Sequence, residues 1–146
     1  MACDKISKIN NSIYIGSCEH PLTESDEFKE LNIDVIINCA KEIKYTEAQQ
    51  QLYTIENYPI CAGTSISFLE FMDEANDKIH YYLSNGKRIY IHSVSGESRC
   101  VAILIYYLMT HKKFTYYRAL RLLKKLHPAT KINSELQEHL QNIEDY

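Results

Sequence analysis

Apolar positions along the chain alternate between a strand-like and a helix-like period. Val35-Ile36-Ile37-Asn38-Cys39 opens with a continuous β-branched run, the pattern of a strand covered on both faces. Arg88-Ile89-Tyr90-Ile91-His92 reads as another strand. Two shorter β-prone runs, residues 6–9 and 12–15, stand at the start with Asn10-Asn11 as a turn between them and Gly16 closing the second. Residues 52–55 fit a further strand. Helical spacing interrupts these runs. Ser25 is placed to cap a short helix through Phe28 to residue 31, with Asp26 and Glu27 in its first turn. A long helix starts at Ser67, carries Phe68, Phe71, Met72, Ala75, Ile79 and Leu83 on one face, and stops at Asn85-Gly86. Residues 101–109 are apolar nearly all round and predict a buried central helix. Residues 115–126 and 133–144, separated by Pro128, predict two closing helices. Strands interleaved with helices and followed by a helical tail make an α/β sheet with helices on both faces.

Composition narrows the class. The chain has 146 residues, 45% of them hydrophobic and 24% charged, which suits one ordinary domain, residues 1–146, with a core of its own. Sixteen basic against nineteen acidic residues give a net charge of −3, which argues against a general nucleic-acid binder. The longest apolar stretch falls far short of the roughly 20 residues of a membrane span, so no membrane association is expected. Met1-Ala2-Cys3-Asp4 carries no secretory or myristoylation pattern and Glu144-Asp145-Tyr146 no prenylation box, so the expected location is intracellular, cytoplasmic or nuclear. In that setting Cys3, Cys18, Cys39, Cys61 and Cys100 are expected as free thiols. Cys18 and His20 lack a second ligand pair, so neither metal nor cofactor is expected. The basic positions Arg118, Arg121, Lys124 and Lys125 are read as a solvated helix face. The tyrosine doublets 81/82, 106/107 and 116/117 are expected to pack one ring and expose the other.

The chemistry concentrates in Ile89-Tyr90-Ile91-His92-Ser93-Val94-Ser95-Gly96-Glu97-Ser98-Arg99-Cys100. A short loop from a buried strand into a buried helix aims free backbone N–H groups and the positive end of the helix dipole at one phosphate-sized spot. Gly96 lets the loop wrap closely, and Arg99 in the first helical turn offers a bidentate fork to two phosphate oxygens. The same spacing also fits an ordinary strand–helix connection with Arg99 in water.

His92-Ser93-Val94-Ser95-Gly96-Glu97-Ser98-Arg99 resembles the His-Cys-x-x-Gly-x-x-Arg signature of the cysteine-dependent protein tyrosine phosphatases, and within them the dual-specificity branch. The likeness extends along the chain. Ser12-Ile13-Tyr14-Ile15-Gly16-Ser17 is similar to that branch's opening strand, and Ile33-Asp34-Val35-Ile36-Ile37-Asn38-Cys39-Ala40 to its next core strand. Residues 119–128, together with Asn133, Leu136 and Leu140, are similar to its closing helices. The resemblance implies the dual-specificity phosphatase fold, α/β with a central mixed, mostly parallel sheet flanked by helices. It also implies a phosphate site formed by Ser93, Val94, Ser95, Gly96, Glu97, Ser98 and Arg99, with His92 and Asn133 supporting the loop.

Three departures from the resembled pattern bear on activity. Active members carry a cysteine where Ser93 stands, because the loop stabilises a thiolate nucleophile; an alkyl hydroxyl cannot be ionised in the same way. Period-2 alternation turns His92 away from the pocket, so it is no substitute base. Ala62 falls where active members place the Asp that protonates the leaving oxygen. Glu70, Asp73 and Glu74 sit on the long helix and do not replace it. Cys100 stands in place of the hydroxyl residue that helps the thiolate leave, and is read as core. The resemblance then implies a catalytically inactive domain that binds phosphorylated Tyr, Ser or Thr side chains as a regulator or scaffold. Phosphate and sulfate are the inorganic ions its loop would take, and a phosphorylated protein or phosphopeptide its partner. Ser93 favours such binding, since it replaces a repelling thiolate with a neutral donor. Glu97 opposes it only where its carboxylate turns inward. Two alternatives stay open: an active phosphatase carrying an engineered Cys-to-Ser trapping change, and a scaffold that needs no phosphate.

Overall fold

The structure, a computed structural model, describes residues 5–63 and 65–144. Cys3, with the terminal readings at Met1, Ala2, Asp4, Asp145 and Tyr146, lies outside the described residues. In chain order the elements are β1 (Ser7–Lys8), β2 (Ile13–Gly16), α1 (Glu19–Thr23), α2 (Asp26–Glu30), β3 (Val35–Asn38), α3 (Glu47–Leu52), β4 (Thr54–Asn57), α4 (Ile66–Ser84), β5 (Ile89–His92), α5 (Arg99–His111), α6 (Tyr116–Leu126) and α7 (Ser134–Glu144).

The strands form one sheet in the order β1-β2-β5-β3-β4. Only the β1–β2 pair is antiparallel, so the sheet is mixed and mostly parallel. β5 lies between β2 and β3, with Gly16 and Asn38 both in register with His92. Three strands therefore finish at one edge of the sheet, and the loop after His92 emerges from the middle of it.

Alternation along the three inner strands divides the core. Ile13, Ile15, Val35, Ile37, Ile89 and Ile91 face one side, where they join buried residues of α4, α5, α6 and α7. Tyr14, Ile36 and Tyr90 face the other and pack with Phe28 of α2 and Ile33. Both faces are covered, which is why β2, β3 and β5 read as unbroken apolar runs. Helix α5 lies at the centre of the larger layer, and its residues 99–108 are all buried.

Several local readings need correction. The strand expected at 52–55 begins at Thr54, because residues 47–52 form α3. Thr46 caps that helix through its hydroxyl, and the Gln49 side chain reaches back to the Thr46 N–H. The short α1 was not expected at all. The long helix begins one residue earlier, at Ile66. Tyr106 and Tyr107 are both buried, unlike the other two doublets, because α5 is enclosed. Among the described residues no helix is long and apolar enough to cross a membrane.

Candidate functional site

Residues 93–98 connect β5 to α5, and four of them line, with Arg99, one side of a cavity of about 210 Å³. Ser93, Ser95, Glu97, Ser98 and Arg99 form the loop side; Cys61, Ala62, Gly63, Asn133 and Leu136 form the rim. The structure thus brings the sequence-predicted residues around one opening, with Val94, Gly96 and His92 behind it.

Gly96 adopts φ +78°, and a Cβ there would stand 2.6 Å from the backbone carbonyl of Gly16. Only glycine meets both constraints. A Cβ at Gly16 would in turn run into the Tyr90 hydroxyl, which donates to the Ser17 carbonyl (2.7 Å). The end of β2 and the loop therefore touch backbone to backbone.

Other parts of the chain hold the loop. The Cys18 N–H donates to the Val94 carbonyl (3.0 Å) and the Lys131 N–H to the Glu97 carbonyl (2.9 Å). Buried His127 donates from Nε2 to the Gly96 carbonyl and accepts at Nδ1 from the Ser7 hydroxyl, both at 2.6 Å. Burial lowers the His127 pKa, which fits a neutral ring with one donor and one acceptor. The Asn133 N–H donates to Ser98 Oγ (2.8 Å), while its own side chain accepts from the Glu135 and Leu136 amides at the start of α7. Ser98 precedes α5, yet its hydroxyl is given to Asn133 and makes no cap bond. The first turn of α5 is left open to a ligand.

Main-chain bonding within the loop is one-sided. Carbonyls of Val94, Gly96 and Glu97 have donors, whereas none of the N–H groups of residues 94–98 has an acceptor among the described residues. Five consecutive donors without acceptors, on residues that are half-buried or, at Gly96, buried, form a cradle for an anion beside a helix N-terminus.

His92 faces the smaller layer, as alternation requires. Its Nδ1 donates to the Ser93 carbonyl and its Nε2 accepts from the Tyr45 hydroxyl, both at 2.7 Å. Full burial pushes its pKa down to about 4, so the ring is neutral and both nitrogens are committed. Ser93 is 2% exposed and its hydroxyl donates to Cys100 Sγ at 3.4 Å. Burial raises the Cys100 thiol to about 11, so this sulfur is a core group and no thiolate at neutral pH.

Arg99 differs from the expectation of an unengaged fork. It is 8% exposed; Nη1 donates to Glu42 Oε1 (2.6 Å) and the Ile60 carbonyl (2.8 Å), and Nη2 to Glu42 Oε2 (3.1 Å). The guanidinium beside Glu42 lowers that carboxyl's pKa. A guanidinium has five N–H donors, and these contacts use three. The two left, Nε–H and the second Nη2–H, lie along one edge and remain a parallel fork. Glu42 and Ile60 orient the arginine without exhausting it.

Glu97 is half-buried and belongs to the cavity lining. Ala62 stands exposed on the rim and supplies no acid. Glu70 and Glu74 are exposed on α4, and Asp73 accepts from the Tyr106 hydroxyl (2.5 Å).

Sequence reasoning missed Glu42, Tyr45, Ile60 and His127. Their bonds into the loop region span 57, 47, 39 and 31 residues, distances over which local spacing carries no signal.

Residues 13–146 match the sequence profile of the family described as dual specificity phosphatase, catalytic domain. The dual specificity protein phosphatase PHS1 of Arabidopsis thaliana is 29% identical over 111 residues, covering 75% of this chain and 12% of that protein. The chain thus spans a small fraction of that curated relative's length. The fold of human DUSP28 superposes with a TM-score of 0.82 at 16% identity, covering 96% of this chain and 93% of that one. The human tyrosine phosphatase-like serine/threonine/tyrosine-interacting protein does so with a TM-score of 0.82 at 20% identity, covering 96% and 95%.

Proposed function

The chain belongs to the dual-specificity phosphatase catalytic-domain family, and from that premise we propose that its strand–loop–helix site binds the phosphate of a phosphorylated Tyr, Ser or Thr side chain without cleaving it. The domain then serves as a regulator or scaffold of phosphoproteins. The observation that carries this reading is the row of five acceptor-free amides at residues 94–98 next to the remaining fork of Arg99. Phosphate oxygens satisfy both sets of donors at once.

Turnover fails in this reading for reasons of chemistry at three points. Ser93, at the position of the resembled nucleophile, has a hydroxyl with no base beside it. His92 is neutral, but its nitrogens are already taken by Tyr45 and the Ser93 carbonyl. Cys100 receives the Ser93 hydrogen bond and is buried, which suits packing and not attack on phosphorus. At the rim Ala62 has no proton to give a leaving oxygen. Ala62 also weighs against an active enzyme altered at Ser93 alone, since such a change would leave the acid in place. A structural neighbour described as phosphatase-like and interacting, the human protein above, agrees with a binding role.

Phosphotyrosyl and phosphothreonyl peptides titrated against the chain test this, with inorganic phosphate followed in parallel. Saturable binding without phosphate release, weakened at least tenfold by Arg99→Ala and by Arg99→Lys, is the expected result; lysine keeps the charge but loses the fork. Absence of binding at millimolar peptide would instead leave a scaffold that needs no phosphate.

A further inference from the structure

Charge is unevenly spread along the chain. Between Glu97 and Glu135 there is no acidic residue, while eight of the sixteen Lys and Arg fall there. The net charge of −3 therefore hides a strongly basic segment that spans α5, α6 and the connection to α7. Arg99 is paired with Glu42, and none of the other seven has an ion-pair partner among the described residues. Arg118, Arg121 and Lys125 are exposed and recur three and four residues apart, so they make one basic stripe along α6.

The stripe ends at a groove. Between β1 and the end of α6 lies an opening of about 590 Å³, with Ile6, Leu126, Pro128 and Ala129 as its apolar lining and Lys8 and Lys125 beside them. No acidic residue lines it among the described residues. Its two walls are tied together, since the Ser7 hydroxyl donates to His127 Nδ1 at 2.6 Å. The turn beyond α6 is closed on itself: Thr130 gives both its N–H (3.0 Å) and its hydroxyl (2.7 Å) to the His127 carbonyl. A groove built in this way is preformed, and an occupant bears little cost for ordering it.

One wall is an open sheet edge. β1 pairs with β2 alone. The Ile9 N–H donates to the Ile13 carbonyl (2.9 Å), and residues along an antiparallel pair alternate between bonding the partner strand and facing away from it. The main-chain N–H and C=O of Lys8 thus face away from β2, on the side where a further strand would pair.

We propose that an extended, carboxylate-rich segment of a partner protein docks in this groove as an added strand beside β1. Its main chain pairs with the outer edge, its apolar side chains rest on Ile6, Leu126 and Pro128, and its carboxylates meet Lys8, Lys125 and Arg121. The site is separate from the phosphate cavity and holds its partner whether or not that partner is phosphorylated, so it stands or falls apart from the loop.

Short blocked peptides in which glutamate alternates with leucine, and their glutamine counterparts, test this when titrated at low and at physiological salt. The glutamate peptide is expected to bind at least tenfold more tightly than the glutamine one, with a margin that shrinks as salt rises. Lys8→Glu/Lys125→Glu should remove that margin. Lys41→Glu/Lys44→Glu, an equal charge change at exposed lysines that line an opening beyond β3 and β4, should leave it within about twofold. N-methyl groups on alternate peptide residues should weaken binding at least tenfold in one register and little in the other, as strand pairing requires. A saturating alanine-flanked phosphotyrosyl peptide should not displace the glutamate peptide. Equal loss from both lysine pairs, indifference to N-methylation, or displacement by the phosphotyrosyl peptide overturns the docking site. So does binding to phosphatidylserine-containing vesicles, sensitive to Lys8→Glu/Lys125→Glu, in the absence of any peptide binding, which would assign the surface to a membrane.

Discussion

Ser93 differs from a cysteine by one atom, but its surroundings set what that atom can do. Its hydroxyl sits 3.4 Å from Cys100 Sγ, and the nearest imidazole faces the opposite side of the sheet. Installing the thiol as Ser93→Cys is expected to give slow phosphate release at best, because Ala62 still provides no acid. Ser93→Cys/Ala62→Asp should exceed the single variant by about 10²–10⁴-fold in phosphate release, the usual worth of a positioned general acid. Equal rates in a phosphate-release assay would mean that another group already supplies the proton. A second expectation concerns His92. Its folded pKa of about 4 lies below its ordinary value of 6.5, so the unfolded chain takes up the proton first as the pH falls. Its contribution to stability is complete above about pH 6.5 and is lost on the way to pH 4, by about 2 kcal/mol at pH 5. Urea titrations at pH 7 and pH 5 should show that loss, and a smaller one in His92→Asn. His92, Ser93, Gly96 and Arg99 were legible because they fall in one contiguous stretch. Their partners Glu42, Tyr45 and His127 were not, since only the folded chain brings them near.

At the scale of elements, the loop is shaped by what it leans on. Gly96 takes φ +78° against the backbone of Gly16, a neighbour that cannot rotate aside as a side chain would. Gly96→Ala adds a left-handed alanine, about 1–2 kcal/mol, and a steric overlap to relieve. Phosphopeptide affinity should therefore drop at least tenfold, together with a lower melting temperature; wild-type affinity would mean the loop tolerates a different path. Helix α5 is the platform for the loop, and Ile103 in its interior is fully buried. Ile103→Ala should lower unfolding stability by about 2–5 kcal/mol in denaturant titration. The elements that periodicity revealed, β3, β5, α4 and α5, are those whose apolar faces meet the core. Helix α3 escaped notice because it buries none of its residues and is defined by a polar capping box. The register of β4 slipped for the same reason, since α3 runs on to Leu52 before the strand starts.

Across the whole molecule, parallel strands direct two openings to one edge. β2, β3 and β5 end there together, and the connections that follow them supply the loop, the Glu42 turn and the opening lined by Lys41 and Lys44. Ligands of open α/β sheets gather at the carboxyl ends of the strands, and this arrangement follows that rule. His127, between α6 and α7, joins the far side of the sheet at Ser7 to the back of the loop at Gly96. The mixed, mostly parallel sheet and the position of the loop were legible from alternation and from the resemblance; the strand order and the ties across the molecule were not. The central claim is that the five amides of residues 94–98 await phosphate and that the bound phosphate stays intact. Proton–nitrogen NMR spectra recorded during titration with a phosphotyrosyl peptide, with phosphorus spectra of the same samples, address both halves. The account expects saturable downfield shifts of the 94–98 amides together with an unchanged phosphomonoester signal. Unshifted loop amides at saturating peptide, or growth of an inorganic phosphate signal, would contradict it.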